Sequence, residues 1–142
     1  MSLLARLAFV AGLLTAPAGA LAEDAIIGTW VGDVTQGETK FETRLTFVSP
    51  KGGVSRYPSF PCGGILMGDR KGDAYEFNEN VTWGGMDEKP DGCIHGVVRA
   101  TVSGDKMKYE WTGTHDQIAK VAAAQQADDA LPRAKNTGWL TS

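Results

Sequence analysis

The sequence predicts an all-β protein: a small antiparallel barrel or strongly twisted closed sheet of seven to eight strands, followed by one C-terminal helix. Apolar and polar residues alternate with the period of two that is typical of half-buried strands. Glycine is frequent, with 18 residues among 142, and Gly-containing turn signals separate the alternating segments. Since these segments follow one another closely in the chain, short connections and an antiparallel meander are expected.

Seven strands are predicted within a β domain that covers residues 23–115. They are expected at residues 26–34, 40–48, 54–57, 62–67, 74–82, 93–102 and 107–112. The clearest is 40–48, in which Phe41, Leu45 and Phe47 lie on one face and charged residues lie on the other. Many short strands joined by short turns are typical of a small barrel.

The composition changes after residue 115. Residues 116–131 are rich in Ala and Gln, which favours a helix, and Pro132 ends it. Residues 132–142 are expected to form a loose tail. Trp139 in this tail either packs on the body of the protein, which we prefer, or serves as a docking tip for a partner.

Residues 1–22 have the layout of a secretory signal peptide. Arg6 precedes an apolar run at 7–14, and Ala20 and Ala22 form a small-x-small cleavage site. The run is too short to cross a hydrocarbon core of about 30 Å as a helix; a retained N-terminal anchor is the alternative. We therefore expect a periplasmic or secreted bacterial protein with no membrane span in its mature chain.

The chain contains two cysteines, Cys62 and Cys93. In the oxidising compartment that an exported protein meets, such a pair predicts a disulfide. Its contribution to stability is roughly 3–4 kcal/mol. A metal or redox pair is the alternative, but Cys-x-x-Cys spacing is absent and only His95 and His115 remain as further ligands. Neither a metal nor a cofactor is predicted.

Charge and motifs exclude several classes of function. The formal net charge is −3, so there is no basic surface to bind nucleic acid. The sequence has no zinc-protease motif, phosphate loop or dinucleotide fingerprint, and two histidines do not suggest a Ser-His-Asp triad. The acidic segment at 87–91 lacks the spacing of a calcium loop and is expected to be solvated. A non-enzymatic protein is therefore predicted.

Glu79 is the first candidate functional residue because it falls on the apolar face of the predicted strand at 74–82. A buried carboxylate costs several kcal/mol unless it is paired, and perturbed acids often mark functional sites. The alternative is a shifted register or a structural ion pair with Arg56 or Arg99. His95 is a second candidate, although a surface or structural role is the simpler explanation.

Gly28-Thr29-Trp30, at the start of the first predicted strand, resembles the Gly-x-Trp motif of lipocalins and other calycins. The resemblance implies a barrel with Trp30 at the start of its first strand, a late helix and a small-molecule carrier function. A carrier needs an interior cavity, and its expected lining is Trp30, Phe41, Leu45, Phe47, Tyr75, Phe77 and Trp111. For a chain of this length, an interior filled by side chains is the simpler expectation.

A second resemblance covers residues from about 28 to 113. Its pattern consists of Tyr57-Pro58-Ser59-x-x-Cys62-Gly63-Gly64, then Glu79, Cys93 and Tyr109-Glu110-Trp111. The pattern resembles a small extracytoplasmic bacterial β domain that also occurs in the outer parts of bacterial serine/threonine kinases. This resemblance implies a disulfide-tied β module for recognition or envelope sensing.

Three functions are compatible with these observations. The preferred one is an exported recognition module whose partner is an envelope or foreign protein, or an envelope component. Its loop at 57–62 is stiffened by prolines and the disulfide. It would bind the partner as the rigid binding loop of an inhibitor binds its target. The alternatives are a calycin-like carrier, which an open cavity would favour, and a hydrolase that uses Glu79. The candidate binding residues are Tyr57, Pro58, Phe60, Glu79, His95, Trp30 and Trp111.

Overall fold

The computed structural model, which describes residues 23–114, 116, 119 and 135–142, is a closed barrel of eight antiparallel strands. Each strand pairs with its neighbours in the sequence, and the last pairs with the first. The strands are β1 (Gly28–Gln36), β2 (Thr39–Ser49), β3 (Gly52–Tyr57), β4 (Cys62–Lys71), β5 (Ala74–Trp83), β6 (Gly96–Ser103), β7 (Lys106–Gly113) and β8 (Lys135–Thr141). The predicted all-β barrel is confirmed.

Two predicted segments fall largely outside the described residues. The signal peptide at 1–22 lies outside them entirely, and only positions 116 and 119 of the helix predicted at 116–131 are described. Over the described ranges, no helix has the length and hydrophobicity needed to cross a lipid bilayer.

Residues 132–142 were expected to form a loose tail, but they contain the strand that closes the barrel. β8 pairs with β7 along its whole length and with β1 at three positions. The buried residue is Leu140, whereas Trp139 is 62% exposed on the outer face, so the expected packing of Trp139 is wrong. The inward positions of β8 are Asn136, Gly138 and Leu140. Because only one of them is a large apolar residue, the alternation that marks a strand is hidden.

Large apolar side chains fill one end of the barrel. Those buried there are Trp30, Leu45, Phe47, Leu66, Tyr75, Phe77, Met107 and Leu140. The segment preceding β1 covers this end: Trp30 Nε1 donates to the carbonyl oxygen of Ile26 at 2.8 Å, and the Tyr75 hydroxyl donates to the Asp24 carboxylate. Burial of this many apolar side chains is the main stabilising contribution to the fold.

Connections at the two ends of the barrel differ in length. At the closed end, the β4–β5 and β6–β7 turns have two residues each. They begin with Gly72 and Gly104, whose positive φ angles of 65° and 61° favour glycine. At the opposite end the connections at 58–61 and 84–95 are longer, and they surround the mouth of the barrel.

Candidate ligand-binding site

The mouth of the barrel contains a cavity of about 340 Å³. This volume lies within the range of about 300–1,000 Å³ that is typical of small-molecule sites. Four aromatic residues, Phe41, Tyr57, Phe60 and Trp111, line it together with Ile94. The described side chains therefore do not fill the interior along its whole length, contrary to the expectation: large apolar side chains pack one end of the barrel, and the cavity lies at the other.

Glu79 lies at the cavity, where the alternation of β5 directs its side chain into the barrel. It is only 2% exposed, so its predicted place on the apolar face is confirmed. The Tyr57 hydroxyl donates to Oε1 at 2.6 Å, and Trp111 Nε1 donates to Oε2 at 2.7 Å. The carboxylate is thus held by two neutral donors from β3 and β7.

The arginines considered as ion-pair partners of Glu79 make other contacts. Arg56 donates to the carbonyl oxygen of Ser55 at 2.8 Å and lies over the Trp83 ring. Arg99 lies on the outer face of β6, 3.9 Å from Asp73. The predicted ion pair is therefore not formed, since both side chains extend away from the barrel interior that holds Glu79.

Burial shifts the pKa values of the titratable side chains at this end of the barrel, Glu79, Tyr57 and Tyr109. It raises the pKa of Glu79, while hydrogen bonding from Ser55, Tyr57 and Trp111 acts in the opposite direction. Burial also raises the pKa of Tyr57 and of Tyr109 well above the ordinary value, and the nearby Glu79 charge adds to both shifts. The two phenols therefore remain neutral hydrogen-bonding groups.

Asn136 contributes an unpartnered polar atom to the cavity wall. The residue is 8% exposed, and its side-chain oxygen Oδ1 is buried without a hydrogen-bond partner. The fully buried hydroxyl of Thr43 also has no hydrogen-bond partner. Because buried polar groups are nearly always hydrogen-bonded, an unpaired acceptor on a cavity wall indicates a position for a donor from a bound molecule.

The position of Trp111 depends on a glycine in the neighbouring strand. A Cβ atom built on Gly96 would lie 2.3 Å from the indole ring of Trp111, far inside any permitted contact. The absence of a side chain at Gly96 therefore lets the indole lie against β6. In that position its N–H group meets the Glu79 carboxylate.

The loop at 58–61 forms part of the rim of the cavity. The predicted disulfide between Cys62 and Cys93 is confirmed, and it joins the start of β4 to the segment before β6. The Phe60 ring, 39% exposed, packs edge-on against Phe41 with centroids 4.9 Å apart. A short loop between β3 and a disulfide therefore holds an aromatic side chain at the mouth of the barrel.

The structure brings together four of the seven predicted binding residues at this cavity: Tyr57, Phe60, Glu79 and Trp111. The other three lie elsewhere. Trp30 is in the filled end of the barrel, and Pro58 is exposed on the loop. His95 Nδ1 accepts a hydrogen bond from the Val81 backbone N–H at 2.9 Å, which is a structural role.

Sequence reasoning missed several residues of the cavity. Asn136 lies in the segment predicted to be a loose tail, and Asp91 lies in the loop predicted to be solvated. Of the residues expected to line a carrier cavity, Phe41 and Trp111 do so. The others, Trp30, Leu45, Phe47, Tyr75 and Phe77, are packed into the apolar core.

The chemical character of the site follows from its described lining. Glu79, Asp91, Gln36 and Asn136 supply oxygen acceptors, and the aromatic side chains supply the apolar wall. Among the described residues, no group of three or more His, Cys, Asp and Glu side chains is arranged to hold a metal ion. Comparisons of the chain with protein-family models, with curated proteins and with solved structures found no match.

Proposed function

We propose that this protein is an exported, non-enzymatic barrel that binds a small molecule in its open end. The observation that carries the proposal is a preformed cavity of about 340 Å³ that contains a buried, unpartnered acceptor, Oδ1 of Asn136. A preformed apolar cavity with a few convergent polar groups is typical of small-molecule sites. Because of this cavity, we favour a small-molecule carrier over a recognition module.

Export is part of the proposal. The segment at 1–22 has the layout of a signal peptide, and a disulfide such as Cys62–Cys93 persists in oxidising compartments. Both observations support a periplasmic or extracellular location. A ligand taken up there would come from the envelope or from the surrounding medium.

The recognition module is the second candidate, and the exposed loop at 58–61 supports it. Pro58 is exposed, Phe60 is partly exposed, and the adjacent disulfide limits the motion of the loop. Such a loop loses little conformational entropy on binding a partner protein. The hydrolase is less favoured, because Glu79 is engaged by two donors and the only other acid in the described lining, Asp91, is exposed at the rim.

The first experiment is native mass spectrometry of the protein purified gently from its own compartment. A co-purifying mass of a few hundred daltons is expected, on the order of what a cavity of this size holds. Gln36→Trp, which places a large side chain in the cavity, should abolish the added mass. Thr35→Trp is the matched control, because the adjacent Thr35 side chain lies on the outer face of β1.

Two outcomes would contradict the carrier function. One is a bare protein mass together with no binding of a neutral fluorescent probe such as N-phenyl-1-naphthylamine. The other is ligand binding that Gln36→Trp and Thr35→Trp reduce equally, which would place the ligand outside the cavity. If an envelope protein were then captured, and Pro58→Ala or Phe60→Ala released it, the recognition module would be favoured instead.

A further inference from the structure

The charges at the cavity have one sign. Glu79 and Asp91 line it, and its described lining contains no Lys, Arg or His. Glu79 is buried and Asp91 is exposed, so one acid lies inside the cavity and the other lies at its rim. An anionic ligand would meet these acids without a counter-charge among the described lining residues, which disfavours it.

The aromatic walls are arranged around the same space. The Phe41 ring is nearly perpendicular to its two neighbours, at 71° to Tyr57 with centroids 6.2 Å apart and at 79° to Phe60 with centroids 4.9 Å apart. These three rings and Trp111 all line the cavity, and we call them its aromatic cage. An aromatic lining is suited to an organic cation, because ring faces carry negative electrostatic potential.

Two acceptors at the cavity, the Glu79 carboxylate and Oδ1 of Asn136, can take hydrogen bonds from a bound molecule. Glu79 accepts hydrogen bonds from Tyr57 and Trp111 and is also faced by Ser55, whereas a carboxylate has about four lone-pair positions in all. Acceptor capacity therefore remains on Glu79, and Oδ1 of Asn136 is unpartnered. A neutral apolar ligand would leave these acceptors desolvated and unpaired, which is unfavourable.

We infer that the ligand is a small organic cation, an amine or ammonium group on an apolar or aromatic body, held within the cage of Phe41, Tyr57, Phe60 and Trp111 beside Glu79. The inference rests on the proposed function and names the chemical class of its ligand. The ammonium group pairs with Glu79, and an N–H group of the ligand donates to Asn136. The apolar body contacts the rings, and Asp91 at the rim attracts the approaching cation.

Binding of such a cation depends on pH through Glu79. The groups that face this carboxyl are Ser55 and Tyr57 of β3, Tyr109 and Trp111 of β7, and His95 before β6. Protonation of Glu79 removes the counter-charge of the ligand and therefore weakens binding as the pH falls, whereas the phenols of Tyr57 and Tyr109 stay neutral.

The test uses the wild-type protein and three probes that share a phenylethyl group: 2-phenylethylamine, 2-phenylethanol and 3-phenylpropanoate. Isothermal titration calorimetry at pH 7.5 should give an affinity for the amine at least about tenfold higher than for the alcohol, and no detectable binding of the carboxylate. Glu79→Gln should remove the preference for the amine while alcohol binding stays within about threefold. Glu76→Gln makes the same acid-to-amide change on the outer face of β5, where Glu76 pairs with Lys71; it is the matched control and should retain the preference.

A second measurement does not depend on the folding of the Glu79 variant. The affinity of the wild-type protein for phenethyltrimethylammonium, whose charge is permanent, should fall as the pH is lowered from 8 to about 4, below the ordinary pKa of a glutamate, while the affinity for 2-phenylethanol stays constant. Equal affinities for the amine and the alcohol, tighter binding of the carboxylate, or a pH-independent ammonium affinity would overturn the cationic ligand and leave the carrier function standing. If neither these probes nor N-phenyl-1-naphthylamine binds and no native ligand mass is found, both proposals fail.

Discussion

Replacing Tyr57 by Phe removes one hydroxyl and keeps the ring, so it isolates a hydrogen bond that holds Glu79. This hydroxyl donates to Oε1 of Glu79 at 2.6 Å and lies 3.4 Å from the Tyr109 hydroxyl. A hydrogen bond to a charged group contributes about 1.5–3 kcal/mol, and one between neutral groups contributes about 0.5–1.5 kcal/mol. The loss in the free energy of unfolding therefore depends on whether Glu79 is ionised.

The direction of the pH dependence follows from the pKa of Glu79. Burial raises this pKa above 4.5 and the Tyr57 hydrogen bond lowers it, so Tyr57→Phe raises it further. A carboxyl group with a raised folded-state pKa stabilises the fold below its unfolded pKa, and this stabilisation is lost as the pH rises through the folded pKa. The destabilisation by Tyr57→Phe is therefore smallest near about pH 4 and grows to about 1.5–3 kcal/mol once Glu79 is ionised in both proteins.

The assay is urea unfolding followed by circular dichroism at a series of pH values, with the unfolding free energy taken from the midpoint and slope. Tyr109→Phe is the control, because its hydroxyl is hydrogen-bonded to Tyr57 and not directly to Glu79. It should lose about 0.5–1.5 kcal/mol at every pH. A Tyr57→Phe loss that is the same at low and high pH would refute the reasoning, and so would no loss at all.

Three further predictions concern strand β8, Gly96 and the Cys62–Cys93 disulfide. In each case the free energy of unfolding is measured with a denaturant. Leu140→Ala should lower the unfolding free energy by about 2–5 kcal/mol because Leu140 is fully buried, whereas Trp139→Ala, on the exposed face, should change it by at most about 0.5 kcal/mol. Gly96→Ala places a methyl group 2.3 Å from the Trp111 ring and should cost about 1–3 kcal/mol by overpacking. Cys93→Ser, which opens the disulfide, should cost about 3–4 kcal/mol.

Each of these predictions has an outcome that contradicts it. Equal losses for Leu140→Ala and Trp139→Ala would show that β8 does not have the register described. A fully stable Gly96→Ala protein would mean that the indole of Trp111 does not lie against β6. The expected loss for Cys93→Ser is about 3–4 kcal/mol. A loss of only about a few tenths of a kcal/mol would show that the disulfide does not stabilise the fold.

The sequence allowed the barrel and its buried acid to be predicted because period-two alternation is a direct consequence of strand geometry. Glu79 occupies an inward position in a segment whose other inward residues include Tyr75 and Phe77, so its burial could be inferred. The disulfide could be predicted from two cysteines in a chain whose first 22 residues have the layout of a signal peptide. In β8 the inward residues Asn136 and Gly138 are not large apolar residues. The segment therefore lacks the alternation of apolar and polar residues that predicts a strand.

The location of the cavity could not be inferred in this way. Alternation shows that Trp30 and Trp111 both face the interior, but it gives no information about their depth along the barrel axis. Trp30 is covered by the segment before β1, with its N–H group bonded to Ile26, whereas Trp111 lies at the mouth. Which end of a barrel is covered depends on segments outside the strands, and these carry no periodic signal.

Closure of the barrel by its first and last strands affects how the protein reaches its native state. The Thr141 hydroxyl donates to the carbonyl oxygen of Val31 across 110 residues of sequence. Contacts of such long range slow folding, because the chain loses loop-closure entropy before the contacts form. Until residues 135–141 have been synthesised, β1 and β7 each have an unpaired edge that can associate with other chains. A nascent or proteolysed chain without this segment is therefore expected to aggregate rather than to remain a partly open barrel.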